Sequence, residues 1–141
     1  MIQVNEVQSV PDEVVDDLTP FSKCEWATSW AVRDMLVEQS ERMFTVTDEA
    51  GKPLLVLGII RPYLLRAPDL WALLCNNLMT QPHQWRHLKW GFDRLENYTR
   101  FRVSVHCGNE LSTRFVKFFG FTVSEIIDEE LIFEVNRNAS H

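Results

Sequence analysis

The side chains with the most chemical reach gather in a few places. His83 and His87 lie four apart in a helical pattern, so both imidazoles could face one cation. The residues between them, Gln84-Trp85-Arg86, lack the Glu of a His-Glu-x-x-His site and no third ligand is visible, so a solvated helix face is the simpler reading. His106-Cys107 invites a nucleophile and its base. That pairing needs the ring within hydrogen-bond reach of the sulfur, and adjacent strand residues point to opposite faces. A buried thiol beside a half-buried imidazole is the expectation there. Asn109, with Ser112 three residues on, is the strongest candidate for touching a ligand; an N-cap that accepts from a first-turn N–H explains the same Asn in full. Trp71, Trp85 and Trp90 could form an aromatic patch for a protein partner, since Trp is enriched in binding hot spots. Core packing explains such residues too, and Trp90 is the most exposed of the three because it lies off the stripe Trp85, Leu88, Phe92.

Asn109 and Ser112 are positioned by the stretch Val103–Phe121, VSVHCGNELSTRFVKFFGF. An apolar, β-branched run ends in a polar turn at Gly108, a short helix carries Leu111, Phe115, Phe118 and Phe119 on one stripe, and Gly120 suits the left-handed residue that closes many helices. Around it the pattern predicts a strand over Ile2–Val7, a short helix Pro11–Leu18 ended by Pro20, and a second helix Ser22–Ser40. Strands Met43–Thr47 and Lys52–Ile60 flank the turn Asp48-Glu49-Ala50-Gly51 as a hairpin, and the almost wholly apolar Leu54–Ile60 is expected to be covered on both faces. Asp69–Cys75 reads as a fourth strand, though its length would also suit a helix and periodicity does not decide; Asn76–Pro82 reads as a turn and Pro82–Tyr98 as a helix. Phe101–Val105, Phe121–Ile127 and Leu131–Val135 complete the strands, with a patternless tail from Asn136 to His141. Residues 1–135 thus form one α+β domain around a mixed, largely antiparallel sheet with helices on both faces.

Composition narrows the function classes. The 45% apolar content, nine Phe and five Trp give a folded core. A net charge of −6 repels phosphate backbones, so no nucleic-acid partner is expected. Three cysteines without paired spacing make neither a disulfide framework nor a zinc site, and fit a reducing compartment. No run approaches the roughly 20 apolar residues that span a bilayer, and no signal pattern opens the chain, so a soluble protein that stays inside a cell, or is assembled into something made there, is expected.

The element order, with Asn109-x-x-Ser112-x-x-Phe115 and Gly120-Phe121, resembles the GNAT acetyltransferase superfamily. The resemblance implies central strands that splay apart with acyl-CoA in the gap, and would make Asn109, Ser112 and Gln81 the cofactor contacts. Two departures stand against catalysis. Active members carry Gln/Arg-x-x-Gly-x-Gly/Ala after the fourth strand, so that bare backbone N–H groups grip the pyrophosphate. Here no glycine lies between Gly58 and Gly91; counting from Gln81, the glycine places hold Gln84 and Arg86, and Pro82 removes a donor. Active members often have an acid Tyr seven residues after the Asn, and here that is Val116. Nor do Leu70–Leu74 offer a general base. A narrower resemblance joins Gly108-Asn109-x-x-Ser112-x-Arg114-Phe115-x-Lys117-x-x-Gly120 to small internal virion or morphogenesis proteins of short-tailed phages. Together these give a non-catalytic interaction protein with no cofactor, placed in a virion or the host cytoplasm with other assembly proteins as partners. The alternative is an acetyl-CoA-dependent N-acetyltransferase with an atypical cofactor loop.

Overall fold

The computed structural model describes residues 2–28, 30–60, 67–93 and 100–136, with the side chains of 25, 27–28 and 30–33 set aside. The far end of the helix expected to reach Tyr98, and the tail 137–141, lie outside the described residues. In chain order the elements are β1 Gln3–Glu6, α1 Asp12–Val15, α2 Pro20–Thr28, α3 Trp30–Gln39, β2 Ser40–Thr47, β3 Pro53–Ile60, β4 Asp69–Leu74, α4 Asn76–Met79, α5 Gln84–Phe92, β5 Arg100–His106, α6 Glu110–Phe118, β6 Thr122–Ile127 and β7 Glu130–Asn136. One sheet of seven strands runs β1-β2-β3-β4-β5-β7-β6. Every neighbouring pair is antiparallel except β4 with β5.

The apolar run of β3 accounts for the layers. Alternate side chains of a strand point to opposite faces. Leu55 packs with Leu74, Leu78, Leu88 and Phe115, the α4–α6 side, while Val56 packs with Val14, Leu18, Met43 and Leu73, the α1–α3 side. Ile59, Phe101, Val103 and Phe133 continue the first layer under Phe92 and Phe119. Helices on both faces of a mixed sheet are therefore the observed architecture. The β2–β3 turn is tied by Asp48, whose N–H donates to Lys52 O at 2.9 Å and whose Oδ1 accepts from Ala50 N and Lys52 N at 2.9 and 3.0 Å.

Four sequence expectations are corrected. Pro20 opens α2 rather than ending α1, since a missing N–H costs nothing in a first helical turn. Ser40 begins β2 rather than ending the helix before it. The stretch after β4 is not simply a turn but holds the short helix α4, whose Thr80 N bonds Asn76 O at 3.2 Å. Asn136 pairs with Arg100 at the end of β7 instead of starting the tail.

Candidate functional site

The one parallel pair is where the sheet opens. β4 and β5 share a single register position, Asp69 with Arg102, supported by Arg102 N donating to Pro68 O at 2.9 Å. Beyond it the strands part around a cavity of about 390 Å³. Its walls include Ala72 of β4, Ser104 of β5, and Asn109, Ser112 and Val116 of α6.

Strand alternation fixes what β4 presents to the gap. Cys75 N donates to Leu54 O at 3.0 Å, and the register pairs Leu73 with Val56 and Trp71 with Gly58, so the odd-numbered residues bond β3. The N–H and C=O of Leu70, Ala72 and Leu74 then face away from β3. Those of Leu74 are taken: its N–H donates to Ser22 Oγ at 3.0 Å and its C=O accepts from Thr19 N at 2.9 Å. Ala72 is left facing the opening.

On the far wall, Asn109 and Ser112 come together. Asn109 is 5% exposed, and its Oδ1 accepts from Ser112 N at 3.1 Å. One residue thus caps α6 and lines the cleft. Val116 presents only methyl groups at the place of the expected acid. Asp69, read in the sequence only as the start of the fourth strand, is the one carboxylate among the described lining residues.

Gln81 does not join them. Its Nε2 donates to Asp48 Oδ2 at 3.1 Å and to Asn77 Oδ1 at 2.9 Å, and its own Oε1 accepts from Gln84 Nε2 at 3.2 Å. Asn77 Nδ2 also donates to Asp48 Oδ2 at 3.1 Å. The amides of Gln81 and Asn77, with Lys52 N and Ala50 N, hold the Asp48 carboxyl down to about 2. The backbone here is equally committed. Gln81 N bonds Leu78 O at 3.2 Å, Gln84 N bonds Gln81 O at 2.9 Å and Trp85 N bonds Pro82 O at 3.1 Å. Gln84 is 7% exposed, and its Oε1 and Trp85 Nε1 are buried without partners among the described residues. A pyrophosphate grip needs bare amides and open space at this turn; the residues present do not fit one.

The remaining candidates separate. Trp71 lies flat over Gly58 and donates from Nε1 to Ser40 Oγ at 2.7 Å, on the α1–α3 side. Trp85 meets Phe115 edge-on at 5.0 Å between centroids, on the opposite side. Trp90 is 61% exposed on α5. The sheet lies between Trp71 and Trp85, so the three do not make one patch. His83 and His87 are exposed, and no group of three or more His, Cys, Asp or Glu able to hold a metal occurs among the described residues. Cys107 is exposed, not buried as expected, because β5 stops at His106 and leaves it in the turn. His106 accepts from Gly108 N at Nδ1, 3.0 Å, and faces Glu129 Oε2 from Nε2 at 3.3 Å, so both ring nitrogens are engaged away from that thiol. The buried thiol is Cys75, pushed up to about 12 by desolvation and then by Asp17, which makes it a poor nucleophile.

The architecture matches many solved structures over nearly its full length. A Bacillus subtilis acetyltransferase in complex with CoA superposes with a TM-score of 0.71 at 8% identity, covering 96% of this chain and 99% of that one. A GNAT family acetyltransferase from Bacillus cereus gives 0.67 at 14% identity, covering 97% and 98%. The Campylobacter jejuni N-acetyltransferase PseH, in complex with acetyl coenzyme A, gives 0.61 at 11% identity, covering 97% and 99%. The fold is that of the GNAT acetyltransferases. No protein-family model matches the sequence, and no curated protein matches it. The GNAT architecture is thus carried by the backbone, and the opening between β4 and β5 is its splayed pair. The structures named here are acetyltransferases, not virion proteins.

Proposed function

We propose that this chain is a non-catalytic binding and interaction protein built on an acetyltransferase fold. The observation that carries the reading is the β4–α5 turn. Its amides at Gln81, Gln84 and Trp85 are bonded within the chain, and Gln84, bulky and buried, stands at a position where the cofactor motif would have glycine. Val116 supplies no proton at the other wall. A virion or assembly role, with other particle proteins as partners, rests on the Gly108–Gly120 segment alone.

A second reading, acetyl transfer from acetyl-CoA to an amine, is favoured by the cleft and by fold neighbours solved with CoA and acetyl coenzyme A. Fold supports this reading more broadly; the local geometry of the loop supports the first. In the second, Asn109, Ser112 and Ala72 would contact the cofactor and Asp69 would be the carboxylate nearest the reaction.

A thermal melt with millimolar acetyl-CoA separates them. A ligand at 100 times its dissociation constant stabilises by about 2.7 kcal/mol, a rise of roughly 10 °C for a domain of this size. The first reading expects no rise. A clear rise, with acetylation of a polyamine or peptide amine detected by mass spectrometry, would establish the second.

A further inference from the structure

We propose that residues 18–22 are a built-in plug at the end of the cleft, lying along the edge of β4 that an extended ligand would need. Leu18 forms an isolated antiparallel bridge with Cys75. Thr19 N and Ser22 Oγ take the C=O and N–H of Leu74, on the side of β4 turned away from β3. That is the side on which β5 lies at Asp69, so the segment stands where the parallel ladder would continue. The contact is buried and redundant. Thr19 and Ser22 are 3% and 4% exposed, Asn76 N donates to Asp17 O at 2.7 Å, and Asn76 Nδ2 donates to Leu18 O at 3.2 Å. On the other lip, the Phe21 ring stands 6.1 Å from that of His106 and points its tip at Gly108, in the turn after β5.

The corner before and within the first turn of α2 therefore bridges the carboxyl ends of β4 and β5. An extended molecule threaded between the strands would have to exchange hydrogen bonds with Ala72 and Leu74, as any added strand does. Among the described residues, Ala72 is the one left to it. The cleft then admits what fits within its own volume, and anything that runs out along β4 must first displace residues 18–22.

The test uses the full chain and pantetheine, which carries no phosphate and so probes the cleft independently of the α5 turn. Hydrogen exchange should show the Leu74 amide protected like that of Leu73, and Ser22→Ala should speed it about tenfold by removing its acceptor. Pantetheine at 10 mM should leave the melting temperature of the natural chain unchanged and raise that of Ser22→Ala. Phe21→Ala, which frees the other lip without touching a buried hydrogen bond, is the second variant if Ser22→Ala does not fold. A Leu74 amide that exchanges as fast as that of Glu129 would overturn the proposal. So would a pantetheine shift equal in natural and variant chains, or absent from both.

Discussion

β4 and β5 run parallel, and each ends by handing the chain to a helix, but the two junctions are built differently. After β5 the connection is short: Cys107 and Gly108 turn the chain, Asn109 caps α6, and the cap residue faces the cleft. After β4 the chain makes α4 and two further turns before α5, and its polar groups bond one another through Asp48, Asn77, Gln81 and Gln84. The β5 junction turns its capping residue towards the cleft. At the β4 junction the protein supplies its own anion, the Asp48 carboxylate, to the donors that gather there.

The wall between them is expected to be the most fragile part. A Cβ on Gly58 would overlap the Trp71 indole, which has a packed sheet on one side and Ser40 on the other. Gly58→Ala should cost about 3 kcal/mol by overpacking, read by urea unfolding. A neutral result would mean that Trp71 moves freely and that the β4 wall is not fixed.

Next comes the β4 junction. Asp48→Ala removes the acceptor shared by four donors and should cost about 2–3 kcal/mol. The pH dependence has a definite sign. Asp48 titrates at about 2 in the fold and near about 3.9 when unfolded, so its contribution is complete above about pH 5 and is lost as pH falls towards 2. The stability gap between the natural chain and Asp48→Ala should therefore narrow from pH 6 to pH 2. A gap that stays constant would remove the carboxylate from its central place.

The β5 junction should respond less. Asn109→Ala deletes one cap and should cost about 1 kcal/mol, with Asn109→Asp recovering most of it. If Asn109→Ala costs more than Asp48→Ala, the comparison is inverted. Trp90→Ala should change stability by less than about 0.5 kcal/mol, as expected of an exposed site; loss of binding to a partner with stability intact would show what that ring is for.

These differences also explain what could be seen in the sequence. The β5–α6 unit is local: cap, stripe and closing glycine lie within one short stretch, and Gly120 has the positive φ of 95° that its place suggested. The two-sided burial of β3 followed from its unbroken apolar run. The β4 junction was hidden because its bonds join distant residues, Asp48 to Asn77 and Gln81, and Ser22 to Leu74. Asp48 read only as a turn residue, and Ser22 only as the start of a helix. Cys107 was misplaced because periodicity does not mark the last residue of a strand. The tryptophans share a type, not a face, and only the fold separates them.

The direct measurement is an amide-resolved NMR titration of the full chain with CoA to several millimolar, watching Gln81, Gln84, Trp85 and Arg86 at the β4–α5 turn. The account expects these resonances to stay in place. Saturable shifts centred on Gln84–Arg86, with a dissociation constant below the millimolar range, would show that the turn holds a diphosphate after all and would contradict it.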